Sequence, residues 1–265
     1  MSHEREATYS SVAGIPLHYS RNRHYGERGD NLNFSSTQRL KDILDQCFET
    51  LIEESPFGKP DLIVTAGLYV NKPGFHGRGL AVDVDAIYWA DRTLVSVLYP
   101  FDQVHYLAVE SVFRQYFGTV LNYLYDPPHE DHWHMDLGTR ADFYTDSPSR
   151  VLYLQASLTH IHDHPVLIDG VWGRQTSGAI REVLQELALG TDIENMSTWQ
   201  AYLRRTASKG FEMVAQAPVL PPKEQLKKAI DSLFEADVRK EQYKELAQSL
   251  LNLSHHPNLG GSLEP

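Results

Sequence analysis

The sequence predicts an α+β fold, in which a small antiparallel sheet with flanking helices is followed by an all-α C-terminal domain. Short β-branched runs and segments of helical periodicity are mixed along the first 145 residues, without the regular alternation of a parallel doubly wound sheet. Beyond about Thr145 the strand-like runs disappear, and helix-like segments continue to about Leu253. We therefore expect domains at 1–145 and 146–216, followed by a linker and helical tail at 217–265.

Each element of the first domain has a local signal. Residues 1–32 are polar and turn-rich, and they predict an extended lead-in. Ser35, Ser36 and Thr37 offer N-caps to a helix whose apolar residues recur at three- and four-residue spacing from Leu40 to Leu51. The other predicted elements are strands at 61–67, 80–87, 120–124 and 131–137 and an amphipathic helix at 102–117.

The second domain is predicted to consist of helices joined by short turns. Residues 149–158 and 176–189 have helical periodicity and flank a turn, and Thr176 is the expected N-cap of the second helix. The closely spaced prolines of 217–222 predict a stiff linker, and the pattern of 223–252 predicts a charged amphipathic helix with one potential break near Asp237.

Composition excludes several classes of function. The formal net charge of -11 argues against a nucleic-acid partner, because such proteins concentrate Lys and Arg on one face. The single cysteine, Cys47, can form neither an intramolecular disulfide nor a thiolate metal site. No apolar run is long enough to insert into a membrane, and the N-terminus lacks a secretory pattern. We expect synthesis in the cytoplasm and, if the substrate lies outside, non-classical export or release by lysis.

Two short clusters carry the chemistry: 76–83, with a histidine at its start and an aspartate at its end, and 129–136, with histidines at 129, 132 and 134. Imidazoles and a carboxylate suit Zn²⁺, and three protein ligands leave a position open for hydrolysis. His132, His134 and Asp136 alternate and would share one face of a strand, where Asp136 could orient a histidine. Gly77 and Gly79 allow the first cluster to turn tightly.

The two clusters together, His-x₂-Gly-x-Ala-x-Asp and His-x₂-His-x-His-x-Asp, resemble the extensin-like family of the lysostaphin, D-alanyl-D-alanine and hedgehog zinc metallopeptidase superfamily. The resemblance covers about residues 60–140. It implies that His76, Asp83 and His134 are the zinc ligands. It also implies that His129 and His132 are active-site histidines.

The resemblance implies peptide-bond hydrolysis by a metal-activated water. Asp131 stands where carboxypeptidase relatives have a glutamate base, but its side chain is shorter and would face away from His134 in a regular strand. His132 is therefore the favoured base, Asp131 the second candidate, and His129 a substrate or proton-shuttle residue. Arg78 is a candidate substrate contact. Those relatives have a serine where Gly74 stands, and an upstream arginine that is missing here, which favours endopeptidase over D,D-carboxypeptidase activity.

Residues 148–190 resemble the three-helix peptidoglycan-binding domain of wall hydrolases, mainly through Asp169-Gly-Val-Trp-Gly173. The aromatic face of Trp172 beside a polar turn suits a sugar or stem peptide, although a turn tryptophan is also often a core residue. The two resemblances point to the same polymer. We therefore expect a zinc peptidase that cleaves peptide stems or crosslinks of peptidoglycan.

Several alternatives stay open. The chain could instead be a non-catalytic, zinc-containing peptidoglycan-binding protein. As an enzyme it could be a phage lysin, a secreted antibacterial effector with an immunity or delivery protein as partner, or a wall-remodelling enzyme. The histidines at 160, 162 and 164 could bind a second metal, but a solvated interhelical loop is the favoured interpretation.

Overall fold

The structure, a computed structural model, describes residues 7–20 and 28–217. These residues form an α+β fold, which confirms the predicted class. The strands are β1 (Ala7–Tyr9), β2 (Ser11–Val12), β3 (Ile15–Tyr19), β4 (Asp30–Asn31), β5 (Phe34–Ser36), β6 (Leu62–Gly67), β7 (Ala81–Tyr88), β8 (Thr93–Val95), β9 (Thr119–Leu121) and β10 (Trp133–Asp136). The helices are α1 (Gln38–Glu54), α2 (Gln103–Tyr116), α3 (Pro148–His160), α4 (Arg174–Glu186) and α5 (Met196–Gln216).

The main sheet has the order β2-β3-β6-β7-β10-β9, with β4 beside β3 and β8 beside β7. Its pairs are antiparallel except β3 with β6, which run parallel. The sheet was predicted to be antiparallel, and this pair is the departure from that prediction. Residues 1–32 were also predicted to be an extended lead-in, whereas the described part of that segment contains β1 to β4. These strands have two to five residues, too few for a clear alternating pattern.

The pairing of β7 with β10 sets the register of the two sequence clusters. In this antiparallel pair His134 lies directly opposite Asp83. Residues that face each other across a ladder project on the same side of the sheet, because side chains alternate with period two. The register therefore places a histidine of the second cluster beside the aspartate of the first.

The helices cover the sheet through apolar faces. The Thr37 hydroxyl accepts the Leu40 N–H at 3.2 Å and caps α1, as the sequence predicts. In α2 all ten residues from 105 to 114 are buried, because other elements pack around it. Helix α5 lies against α2, and a Cβ at Gly210 would lie only 2.8 Å from the Cβ of Ala108. This glycine allows the two helices to approach closely.

The C-terminal helices share the hydrophobic core of the sheet. One buried cluster extends from Val12 to Phe211 and includes residues of α3, α4 and α5. The change of composition near residue 145 is thus not a break in the core, and the division into domains stays a prediction. Thr176 is not an N-cap as predicted: α4 begins at Arg174, and the buried Thr176 hydroxyl instead accepts an N–H of Gln155 at 3.1 Å.

The predicted tail at 217–265 lies outside the described residues, apart from Ala217. Within the described part of the chain, none of the helices combines the length and apolar character that spanning a membrane requires.

Candidate metal centre

His76 is held by the tight turn that precedes β7. It begins a short 3-10 helix, His76–Arg78, and its side chain is buried. Its Nδ1–H donates to the Leu68 carbonyl at 2.6 Å, which leaves the Nε2 lone pair free. A Cβ on Gly77 would lie 1.7 Å from the Lys72 carbonyl oxygen, and Gly79 has a φ of 65°. Both glycines are therefore required for the turn, as predicted.

Three side chains converge where this turn meets the β7–β10 pair. His134 Nδ1 lies 2.9 Å from Asp83 Oδ1 and 3.2 Å from His76 Nε2. Asp83 Oδ1 lies 3.1 Å from His76 Nε2. The potential ligand atoms of the three residues all lie within 4.8 Å of one another. The structure thus brings together the three residues that the sequence nominates as ligands.

The hydrogen bond made by Nε2 of His134 determines whether Nδ1 of the neutral ring carries a proton. Nε2–H donates to Asp136 Oδ2 at 3.3 Å, so the neutral ring presents the Nδ1 lone pair to the centre. The second Asp136 oxygen accepts the Gly138 N–H at 2.7 Å, which fixes the carboxylate. Asp136 therefore has the orienting position predicted for it.

The donor set fits a divalent metal. In their neutral forms, the rings of His76 and His134 would direct the lone pairs of Nε2 and Nδ1 at each other across 3.2 Å, and Asp83 adds a carboxylate oxygen. Three electron-pair donors without a proton between them repel one another unless a cation lies among them. Two imidazoles and one carboxylate form the donor set of open zinc sites.

The pKa values of the same residues report the excess of negative charge. Burial lowers the pKa of His134, but hydrogen bonds to Asp136 and Asp83 outweigh burial and raise it to about 9. Burial raises the pKa of Asp83, but hydrogen bonds from His134 and His76 outweigh it and hold this pKa well below its usual range. The site without metal therefore attracts a proton where a cation would bind.

His132 stands beside the three candidate ligands. Its Nε2 lies 3.7 Å from Asp83 Oδ1, and its Nδ1–H donates to Asp131 Oδ1 at 2.7 Å. The strand predicted at 131–137 was too long: β10 begins at Trp133, so Asp131 and His132 lie in the preceding turn. This turn brings Asp131 to His132 although strand geometry would have separated them. Asp131 is thus placed to orient His132.

His129 completes the histidine group. Its ring centroid lies 5.3 Å from that of His132 and 5.8 Å from that of His134. Its Nδ1 forms a very short hydrogen bond with Asp126 Oδ1. Asp126 is a residue of the site that no predicted motif includes. The Asp-x-x-His spacing at the start of a proline turn is the signal that could have identified it.

Asp85 is a second acidic residue that the sequence analysis left unassigned. It lies two residues after Asp83, on the same face of β7, and its Oδ1 is buried without a hydrogen-bond partner. Burial raises the pKa of Asp85 well above its usual range, and the nearby carboxylates of Asp131 and Asp83 raise it further. Alternation along β7 was the signal that could have identified it.

The opposite face of β10 carries a buried polar cluster centred on Glu110. Its carboxylate accepts hydrogen bonds from Arg114 at 2.8 Å, from Asn122 at 2.9 Å and from Trp133 Nε1 at 3.3 Å. Arg114 also donates to the carbonyls of Val120 and Ser149 at 3.0 Å. The cluster, hereafter the Glu110 cluster, joins α2, the β9–β10 edge and the start of α3.

The two predicted substrate contacts lie in different places. Arg78 is exposed two residues from His76, with its guanidinium carbon 4.0 Å from the Phe75 ring centroid. Trp172 is partly buried, with its ring centroid 5.7 Å from that of Phe143. The turn that carries Trp172 is anchored by buried Gln155, which accepts the N–H groups of Asp169 and Gly170. Their roles stay predictions.

The loop with three histidines at 160–164 is not uniformly solvated. His162 is buried and bonded to the Thr206 hydroxyl at 2.9 Å, and burial, aided by Lys209 and His164, lowers its pKa to about 3. His164 instead pairs with Glu186 at 3.0 Å. Among the described residues, no second group of three potential ligands comes together. The predicted solvated loop was therefore wrong for His162.

Residues 67–145 match the family model of the extensin-like protein C-terminus. The match contains all six predicted metal and catalytic residues and agrees with the resemblance found at about 60–140. It covers the turn, β7, α2 and β10, and it ends before α3. This part of the chain is therefore similar to an extensin-like domain. Neither the curated proteins nor the solved structures gave a match to the chain.

Proposed function

We propose that the chain is a zinc-dependent peptidase that cleaves peptide stems or crosslinks of peptidoglycan, with His76, Asp83 and His134 as zinc ligands. The observation that carries the proposal is the convergence of two tautomer-fixed imidazoles and one carboxylate within 4.8 Å. When bound, zinc would supply a Lewis acid and lower the pKa of a water molecule.

His132 would carry out the proton transfers, with Asp131 as its partner. His132 has Nδ1–H bonded to Asp131, so Nε2 is free to take a proton from the attacking water. The Asp131 carboxylate then stabilises the imidazolium and keeps Nε2 directed at the reacting atoms. From Nε2 the proton can pass to the amine that leaves the cleaved peptide bond. His132 thus acts as the base and Asp131 as the residue that positions it.

Peptidoglycan is proposed as the substrate because two features support it. Residues 67–145 match the extensin-like model, and the signature of that region resembles that of wall peptidases. The Asp169–Gly173 turn, with exposed Val171 beside Trp172, is held in a defined shape by Gln155. A shaped turn with apolar and aromatic groups suits a wall fragment. Endopeptidase activity is favoured, since a glycine stands at 74.

The proposed substrate lies outside the cytoplasmic membrane. We therefore propose that the protein acts in the periplasm or cell wall, as a phage lysin or as a secreted antibacterial effector. An immunity or delivery protein would then be its partner.

Purified sacculi provide the test. Zinc-loaded wild-type protein should release soluble muropeptides, and mass spectrometry of the products identifies the bond that is cut. His132→Ala should retain zinc but lose at least about 100-fold in rate, because it removes the proposed general base. His18→Ala, which changes a histidine whose hydrogen bonds within the described residues go to backbone carbonyls at 2.8 and 3.2 Å, is the matched control and should keep full activity.

Two results would reject the proposal. Intact sacculi in the presence of stoichiometrically zinc-loaded protein would favour the non-catalytic binding protein. A fully active His132→Ala variant would remove the assigned base.

A further inference from the structure

Each histidine of the second cluster has a carboxylate partner of its own. His134 is bonded to Asp136, His132 to Asp131 and His129 to Asp126. The proposed function uses the first two pairs, as ligand with its orienting residue and as base with its orienting residue. The third pair has the same construction. The sequence predicts only that His129 contacts substrate or shuttles protons, and Asp126 has no assigned role.

The Asp126–His129 pair is built on a rigid turn. Asp126 precedes the 3-10 helix Pro127–His129, and its carbonyl accepts the His129 N–H at 3.0 Å. The two prolines between them have fixed φ angles, which restricts the backbone. Asp126 therefore binds His129 twice, through its backbone and through its carboxylate, and both the position and the ring orientation of the histidine are determined.

The carboxylate also selects the tautomer of His129. An ionised carboxylate can only accept hydrogen bonds, so the neutral ring must carry its proton on Nδ1 and leave Nε2 as an acceptor. In water the neutral imidazole of histidine prefers the opposite tautomer. The ring lies 5.3 Å from that of His132 and 5.8 Å from that of His134, centroid to centroid. The His129 ring, whose tautomer Asp126 selects, therefore lies within the candidate site.

We propose that Asp126 is a positioning residue of the peptidase site, which holds His129 as the Nδ1–H tautomer so that Nε2 accepts an N–H of the bound peptide. The inference rests on the proposed function. It adds a contact to the substrate that the metal and His132 do not provide. In this contact, an N–H group of the peptide backbone or amine donates to Nε2 of His129.

The test is Asp126→Asn, which keeps the shape of the side chain but replaces the obligatory acceptor with a group that can donate to Nδ1. Long-range ¹H–¹⁵N NMR of the zinc-loaded protein reports the tautomer, with the His129 signals assigned by their loss in His129→Gln. We expect the Nδ1–H form in the wild type and the Nε2–H form in Asp126→Asn. Cleavage of sacculi should fall by about 10- to 100-fold, the usual loss for an orienting partner, with zinc retained. Asp126→Glu should recover part of the rate.

The chain offers a matched control in Asp102, which is bonded to His105 Nδ1 at 3.3 Å with the same three-residue spacing. His105 lies among Phe57, Trp89 and Phe211. Asp102→Asn should therefore leave the rate on sacculi unchanged. An Asp126→Asn variant with wild-type rate, with an unchanged tautomer, or with lost zinc would overturn the proposal. A wild-type protein without activity would instead reject the proposed function, so the two failures are distinguishable.

Discussion

The two faces of β10 carry polar groups of opposite character. On one face, the Glu110 cluster is fully buried and every charged group has protein partners: Glu110 receives three donor side chains, and Arg114 donates to Glu110, Val120 and Ser149. On the other face, Nδ1 of His134, Nε2 of His76 and Oδ1 of Asp83 lie within 3.2 Å of one another, and none of the three atoms carries a proton when both rings are neutral.

The difference separates a structural cluster from a binding site. Buried polar groups in a folded protein are normally paired, so the Glu110 cluster needs nothing from outside. The histidine face is equally well ordered on its outer side, where Leu68 and Asp136 accept the ring N–H groups. On its inner side, between Nε2 of His76, Nδ1 of His134 and the Asp83 carboxylate, no N–H group of the described residues donates a hydrogen bond when both rings are neutral. A site that is rigid outside and unsatisfied inside is organised for a cation.

The largest expected effect comes from breaking the Glu110 cluster. Glu110→Ala leaves the guanidinium of Arg114 buried without its counter-charge and should lower the free energy of unfolding by about 3–5 kcal/mol. The double variant Glu110→Leu/Arg114→Met removes both charges and should lose less than the single variant. Urea unfolding of the metal-free proteins measures both values. A single variant within about 1 kcal/mol of wild type would show that the cluster does not hold the strand.

A smaller effect, pH-dependent stability, is expected on the histidine face. The pKa of His134 is raised to about 9 in the folded metal-free protein, against about 6.5 when unfolded. Its stabilising contribution is therefore complete below about pH 6.5 and is lost as the pH rises through 9. That loss should amount to at most about 3 kcal/mol in wild-type protein and be absent in His134→Gln. The free energy of unfolding is measured at pH 6 and pH 9.5 for wild type and for His134→Gln. An equal loss of stability in the two proteins would refute the prediction.

The smallest expected effect concerns the outer side of the site. Asp136→Ala removes the acceptor of the His134 Nε2–H, so we expect zinc affinity to fall by about 10- to 100-fold without loss of the fold. Competition with a chelator measures the affinity. Asp91→Ala, at an exposed carboxylate, is the control and should bind zinc as wild type does. Equal affinity in both variants would mean that Asp136 does not orient the ligand.

The sequence sufficed for the residues whose position follows from a regular strand or a motif. The family resemblance nominated His76, Asp83 and His134 as ligands, and they do converge. The glycine turn at His76 follows from local pattern, whereas the β7–β10 register that sets His134 opposite Asp83 was not predicted. The helices α1 and α2 were also predicted within a few residues, since their apolar periodicity is long.

The other features of the fold and of the candidate site depend on contacts between distant or turning segments, which the spacing of residues in the sequence does not predict. The parallel pairing of β3 with β6 joins segments about 45 residues apart, and β3, with five residues, is too short to show a clear alternation. Asp131 reaches His132 because β10 begins at Trp133, two residues later than predicted. Asp126 reaches His129 through the 3-10 turn Pro127–His129. The burial of His162 depends on α5, which packs against its loop.

The most direct test of the account is the zinc content of purified protein, measured by inductively coupled plasma mass spectrometry after loading and gel filtration. Wild-type protein should carry one zinc per chain. His134→Ala should carry almost none, and the control His164→Ala, at a histidine paired with Glu182 and Glu186, should carry one. Equal zinc in His134→Ala and wild type, or no zinc in the wild type, would contradict the central claim that His76, Asp83 and His134 form a metal site.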